Sequence, residues 1–354
     1  MDFTFTEEQD AAAELARRVC RGAAAGAGDE RAGGFDHELW RRVVDAGLTG
    51  LHLPEPQGTG LGMIAACRAL VEFGRAAVGA PITGQVAATA VLAERPELLT
   101  DGLVLPALAE GPDATPAVPG CTARRTDAGW ALDGAKTMVP FGAAAEALLV
   151  TATDRDGPAV LLVPTGTSGV RVVEDLATGG LPVARVEFAG VVVPEANRVG
   201  GPEVVTRLRR ALTLTTAAVQ YGVSERALEL TAAYTAERQQ FDQPLGAFQA
   251  VRQRLGDAWI DVGCQRLTLW QAAWRWEAGV PLGDAVEVAG YWAAEAGNRV
   301  AHSAIHLHGG AGVDLDGPVH HYFTATKQLE FIVGGATRHA LEIGGLPGAG
   351  VQGE

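Results

Sequence analysis

The chain changes its period twice, near residue 103 and again after Gly200-Gly201-Pro202, and this alternation limits its fold more than any other feature. Before residue 103, apolar residues recur at helical spacings. Thr6, followed by Glu7, Glu8 and Gln9, supplies a capping hydroxyl and negative charge for a helix that runs toward Cys20. Asp36-His37-Glu38-Leu39-Trp40 opens a second helix, with Trp40, Val43, Val44 and Leu48 on its apolar side and Gly47 or Gly50 at its end. Leu53 to Gly62 is broken repeatedly by Pro and Gly and reads as a loop. Helical patterns resume from about Met63 to Phe73 and after Pro81.

From Leu103 the apolar runs shorten to strand length, as in Val104 to Leu108, Ala147 to Val150, Val160 to Val163 and Val191 to Val193, with Gly, Pro, Asp and Thr between them. Thr126 to Lys136 predicts a hairpin with turns at Ala128-Gly129 and Asp133-Gly134, and Asp154 to Pro158 predicts another turn. After Pro202 the helical period returns, with Leu208, Leu212, Val219, Val223, Ala227, Leu230 and Tyr234 on one long helix. A second helix from Gly246 to Glu277 carries Val251, Leu255, Trp259, Val262 and Leu269. A third covers about Leu282 to His308, and a fourth begins near Val319. The expected fold class is α+β: an N-terminal α-helical domain at 1–102, a middle β-domain of sandwich or barrel type at 103–198, a C-terminal four-helix bundle at 199–345 and a flexible Gly-rich tail at 346–354.

A length of 354 residues agrees with two or three such units. The net charge of −14, with acids spread along the chain, argues against nucleic acid or an anionic membrane as the main partner. Four separated cysteines without a C-x-x-C pair fit buried free thiols in a reducing compartment. The acidic start lacks a signal-peptide pattern and no apolar run is long enough to span a bilayer, so the expected location is cytoplasmic.

The chemistry gathers in Arg238-Gln239-Gln240-Phe241-Asp242-Gln243-Pro244-Leu245-Gly246-Ala247-Phe248-Gln249. A fixed cation, an aromatic ring, a turn at Pro244 and Gly246, and an aromatic-plus-amide pair suit a flat, phosphorylated ligand. A helix hairpin with an arginine in its turn is the plainer reading of the same residues. His306, His308, His320 and His321, with Asp314 and Asp316, invite a metal reading, but the first two are two apart on a helix and face different ways. The run is expected to be a structured helix connection, with no metal.

The order of the three regions, with Leu53-Pro54-Glu55, Gly134-Ala135-Lys136, Phe188 to Pro194, Arg238 to Gln249 and Leu307-His308-Gly309-Gly310-Ala311-Gly312 at these separations, resembles the acyl-CoA dehydrogenases over nearly the whole chain. The resemblance implies FAD, an acyl-CoA substrate, oligomers in which a neighbouring subunit helps hold FAD, and electron-transfer flavoprotein as electron acceptor. It places Arg238 at the pyrophosphate, with Phe241, Phe248 and Gln249 along the dinucleotide. Gly309, Gly310 and Gly312 would allow close backbone approach to the cofactor, or would simply end a helix. A family glutamine falls at His306.

Two departures stand against the resemblance. The family base, a glutamate, falls at Leu212 or at Val333, and neither residue ionises. Glu330, three residues from Val333, could share that helix face as a displaced base, or could be a surface or ion-paired residue. The family Trp-x-Thr beside the flavin ring is matched here by Met138-Val139-Pro140-Phe141-Gly142, and Pro140 has neither hydroxyl nor N–H to offer flavin N5. No catalytic residue is therefore assigned. Gly312 to Phe323 also resembles a subset of actinobacterial acyl-CoA dehydrogenases, including the steroid side-chain group, in which one of two unlike subunits lacks the glutamate. The expectation is such a base-lacking subunit with a glutamate-bearing second acyl-CoA dehydrogenase subunit as partner. The alternatives are a stand-alone homo-oligomer with a displaced base and a non-catalytic binding scaffold.

Overall fold

The computed structural model describes residues 4–23, 35–108, 120–332 and 334–345. The expected tail at 346–354 and the second base position, Val333, lie outside the described residues.

Helix α1 (Glu7–Cys20) starts in a full capping box, with Gln9 N donating to Thr6 Oγ1 at 3.2 Å and Thr6 N donating to Gln9 Oε1 at 3.0 Å. Asp36 caps α2 (His37–Asp45) by accepting from Leu39 N at 2.8 Å, and Gly47, with φ of 69°, ends it. The buried side of α2 carries Leu39 and Val43, one helical turn apart, and Val44 is exposed. Trp40 is half-buried against the core and Leu48 is buried, so of the expected apolar side only Val44 is turned to solvent, while Leu39 joins the buried side. Helices α3 (Gly62–Ala76) and α4 (Ile82–Leu92) follow the loop.

The middle region is one sheet of eight strands, β1 (Val104–Ala107), β2 (Thr122–Thr126), β3 (Gly129–Pro140), β4 (Ala147–Asp154), β5 (Gly157–Pro164), β6 (Val170–Leu176), β7 (Pro182–Val193) and β8 (Arg198–Gly200). Its path is β6-β7-β3-β2-β4-β5-β8, with β1 parallel to β4. Among the described residues β2 and β4 pair through Thr122 and Thr153 alone, which joins the β6-β7-β3-β2 part to the β4-β5-β8 part. They share one apolar cluster that includes Leu132, Val186, Leu148 and Leu161. The sheet is therefore open and bent over its own core, and not a closed barrel. Arg155-Asp156 makes the expected turn between β4 and β5. Thr126 opposite Gly129 closes the β2–β3 hairpin, but Asp133-Gly134 is no turn: it lies inside β3 at a register shift, Gly134 has φ of 131°, and Asp133 Oδ1 accepts from Gly190 N at 2.7 Å.

Helix α5 (Pro202–Glu237) leads to a short hairpin of β9 (Gln239–Gln240) and β10 (Gln243–Pro244), and α6 (Gln249–Glu277), α7 (Ala285–His308) and α8 (Pro318–Ile332) complete the four expected long helices. A ninth helix, α9 (Gly335–Ile343), was not expected; His339 on it packs under α7, with Nδ1 2.7 Å from Glu287 Oε2. Helices α3 and α5 cross in close contact. A Cβ on Gly74 would meet Val219 O at 2.0 Å, and one on Gly222 would meet Val71 O at 2.0 Å, so each glycine admits the other backbone. Buried residues of α1 to α8 and of one sheet face form a continuous apolar cluster. Among the described residues no helix is long and apolar enough to cross a membrane.

Candidate active site

The α3–α5 crossing leaves an apolar cavity of about 100 Å³ between α3, α4, α5, α8 and the end of β3. Phe73, Pro140, Phe141, Leu212, Leu329 and Ile332 are among its walls. Leu212 and Pro140, the positions of the two departures expected from sequence, thus line the same space. Among the described residues no carboxylate lines the cavity, and His321 is its only titratable side chain. Burial, with a smaller contribution from His320, pushes the His321 imidazole below its ordinary value, so it is uncharged at neutral pH.

The polar groups of α8 near the cavity are engaged elsewhere. Thr324 Oγ1 donates to His320 O and His321 O at 3.2 and 3.1 Å, and Gln328 Nε2 donates to Thr178 O. Glu330 is ion-paired with Lys327 at 3.1 Å and is not part of the cavity wall. Lys136 on β3, fully buried, donates to Thr151 Oγ1 at 2.8 Å, and burial pushes its amine down to about 6.

Arg238 lies just past α5, at the far end of that helix. The 26 positions between Leu212 and Arg238 correspond to about 39 Å at 1.5 Å per residue. The turn after Arg238 is formed by Phe241 and Asp242, both with positive φ (53° and 64°), while Pro244 lies in β10 and Gly246 in a 3₁₀ turn, Leu245–Ala247. The expected turn at Pro244 and Gly246 is thus the 3₁₀ turn, and the hairpin turn at Phe241 and Asp242 was not expected. The tight turn throws the Phe241 ring outward, 85% exposed, edge-on to Phe248 at 6.1 Å. Arg252 Nε donates to Gly246 O at 3.0 Å and holds the loop against α6. The guanidinium of Arg238 has no hydrogen bond or ion pair among the described residues, and Gln249, eleven positions on at the start of α6, is exposed. Cation, exposed ring and amide suit the phosphate-bearing half of FAD. At the ring half the donor set does not fit, because Pro140 supplies no hydrogen-bond donor.

Tyr234, one turn before Arg238, stacks on His308 at 4.3 Å and 19°, which brings the Arg238 hairpin and the end of α7 to one end of the bundle. There Gly309 ends α7 with φ of 60°, Gly310 has open space where a side chain would be, and Gly312 is buried, its Cβ position 2.7 Å from Ile305 O. His306 is exposed on α7. Among the described residues no group of three or more His, Cys, Asp or Glu side chains is placed to hold a metal ion.

Residues 6–96 match the model of the acyl-CoA dehydrogenase N-terminal domain and residues 207–344 that of the C-terminal domain. Acyl-CoA dehydrogenase FadE27 of Mycobacterium tuberculosis is 43% identical over 328 residues, covering 88% of each chain. The chain belongs to the acyl-CoA dehydrogenase family. Acyl-CoA dehydrogenases are FAD-dependent oxidoreductases acting on CH–CH bonds of lipid metabolism. Among solved structures, a chain of the ChsE4-ChsE5 complex from M. tuberculosis is 41% identical with a TM-score of 0.90, over 97% of this chain and 98% of that one. A chain of the Tcur3481-Tcur3483 steroid ACAD is 36% identical with a TM-score of 0.88, over 96% and 97%.

Sequence reading of this acyl-CoA dehydrogenase missed Phe73, Phe141 and His321 as cavity residues. They lie on three different elements and share no spacing that would link them. The packing of Gly222 against Val71 O explains why a glycine is needed there.

Proposed function

We propose that this chain is the base-lacking subunit of a heteromeric acyl-CoA dehydrogenase that desaturates the α,β-bond of an acyl-CoA thioester. The observation that carries the reading is the cavity wall in which Leu212 and Pro140 meet without a carboxylate among the described residues. In the family FAD supplies the hydride acceptor for the β-hydrogen. The α-proton then needs a base, and neither Leu212 nor Pro140 can take it. Glu330, held by Lys327, does not replace it. The glutamate accordingly comes from a partner acyl-CoA dehydrogenase subunit, which also lines the thioester pocket.

This chain's contribution to the shared site is the Arg238 hairpin. The Arg238 fork pairs with the pyrophosphate, Phe241 and Phe248 pack on the dinucleotide, and Gln249 hydrogen-bonds to it, with His306, Gly309, Gly310 and Gly312 at the same end of the bundle. About 39 Å from Leu212, this hairpin serves a cofactor whose ring sits in another subunit. Likeness to two-chain complexes supports the heteromer, and likeness to a steroid ACAD supports a steroid-derived acyl group. Electrons leave to electron-transfer flavoprotein.

Co-purification with a glutamate-bearing family member, followed by a flavin spectrum and an acyl-CoA assay, tests the reading. A yellow complex, active only as a pair, is the expected result. A partner that is fully active by itself, or a flavin-free complex, would contradict it.

A further inference from the structure

At the end of the bundle away from the Arg238 hairpin, a cleft of about 450 Å³ opens between the start of α5, the end of α6 and the α6–α7 connection. Val280 and Leu282 give it apolar walls, and Arg207, Arg210 and Arg275 line it with three guanidinium groups. Arg207 is already neutralised: it pairs with Glu94 and lies over the Trp276 ring at 5.5 Å. Glu203, the one carboxylate in the lining among the described residues, accepts from Gly201 N at 3.2 Å at the start of α5. Arg210 and Arg275, both half-buried, have no carboxylate partner among the described residues. Their forks converge instead on one short segment: Arg275 Nη1 donates to Pro281 O at 2.8 Å and Arg210 Nη2 to Gly283 O at 3.2 Å. One arginine on the carbonyls that follow a helix is an ordinary cap. Two, from different helices, set like charges near one another, and carbonyl dipoles do not cancel them. Each fork keeps one Nη without a partner among the described residues, and each Nε is buried without a hydrogen bond. Fixed cations with donors to spare are the complement of an anion.

We propose that this cleft binds a phosphate-bearing small molecule through Arg210 and Arg275, with the apolar part of the ligand against Val280 and Leu282. A phosphate monoester brings nearly two negative charges to the two uncompensated guanidinium groups, and its tetrahedral oxygens serve two forks at once, where a carboxylate has a single flat edge. The cleft is larger than a lone phosphate needs and falls within the range of roughly 300–1,000 Å³ usual for small-molecule sites. It is separate from both regions described above. Arg210 lies two positions before Leu212, so about 200° around α5 from the cavity side, and 28 positions, or about 42 Å, from Arg238.

This inference is independent of the functional reading. The test is isothermal titration of the full-length chain with phenyl phosphate, with inorganic phosphate and benzoate alongside. Phenyl phosphate should bind saturably, and about tenfold or more tightly than either of the others. Arg210→Gln and Arg275→Gln remove the charge and keep most of the stem, and each should weaken binding by about tenfold or more, while circular dichroism confirms equal helix content. Arg238→Ala should leave binding within about twofold, which separates this cleft from the hairpin proposed to hold the cofactor's phosphates. Absence of saturable binding, unchanged binding in both arginine variants, or loss of binding in Arg238→Ala would each overturn the proposal. So would benzoate or inorganic phosphate binding as tightly as phenyl phosphate, the first by making the cleft a carboxylate site and the second by removing the apolar walls from recognition.

Discussion

Leu212 on α5 and Pro140 at the end of β3 line one apolar cavity, although 72 positions separate them in the chain. On the proposed reading one stands where the family has its base and the other where it has the hydroxyl beside flavin N5. Neither side chain can accept or donate a proton, and among the described residues His321 is the one titratable side chain left in that wall.

Adding the base back should not suffice. Leu212→Glu would bury a carboxylate without a partner, raising its pKa and lowering stability by about 2–4 kcal/mol. Urea unfolding measures the stability loss, and the acyl-CoA assay of the variant alone should stay at background. Turnover by this single variant would mean that Pro140 is no obstacle.

Gly222→Ala should destabilise the chain by about 2–3 kcal/mol, because the new Cβ would lie 2.0 Å from Val71 O. Alanine is the better helix former by about 1 kcal/mol, so helix propensity alone gives the opposite sign. Chemical denaturation decides between them, and a stabilised variant would show that the α3–α5 crossing is looser than this contact.

Arg238→Ala should leave the stability of the chain within about 0.5 kcal/mol, since the side chain is exposed and unpaired among the described residues. In the complex with its partner it should cost flavin occupancy, read from the absorbance spectrum. Arg238→Lys should recover only part of it, because an ammonium keeps the charge but not the two-pronged geometry. Full occupancy in Arg238→Ala would remove the hairpin from the site.

The buried amine of Lys136 gives stability a pH slope. Its folded value of about 6 lies below the ordinary lysine value, so between the two the unfolded chain binds more protons and stability rises with pH. The slope approaches about 1.4 kcal/mol per unit above pH 6. Lys136→Met should flatten the curve between roughly pH 6 and 8 in denaturation series, whereas parallel curves would show that Lys136 is charged in the folded protein.

The element order was legible because each signal is local. Thr6 with Gln9, Asp36, and the Arg155-Asp156 turn use residues within a few positions of one another, and all three form as the pattern implies. Readings failed where a distant neighbour decides. Asp133-Gly134 has the composition of a turn, but pairing with β7 makes it a bulge. Trp259 fits a helical stripe, yet the stripe it joins faces outward. Leu212 was assigned by position along one helix, and that it shares a cavity with Pro140 depends on how α5 and the end of β3 pack around one space, which no sequence spacing displays.

The most direct test of the account is anaerobic titration of the full-length chain, purified without its partner and supplied with FAD, with the acyl-CoA that the complex oxidises. The expected result is no acyl-CoA-dependent bleaching of the flavin band. Stoichiometric flavin that bleaches on adding acyl-CoA would contradict the claim that this chain lacks its own base.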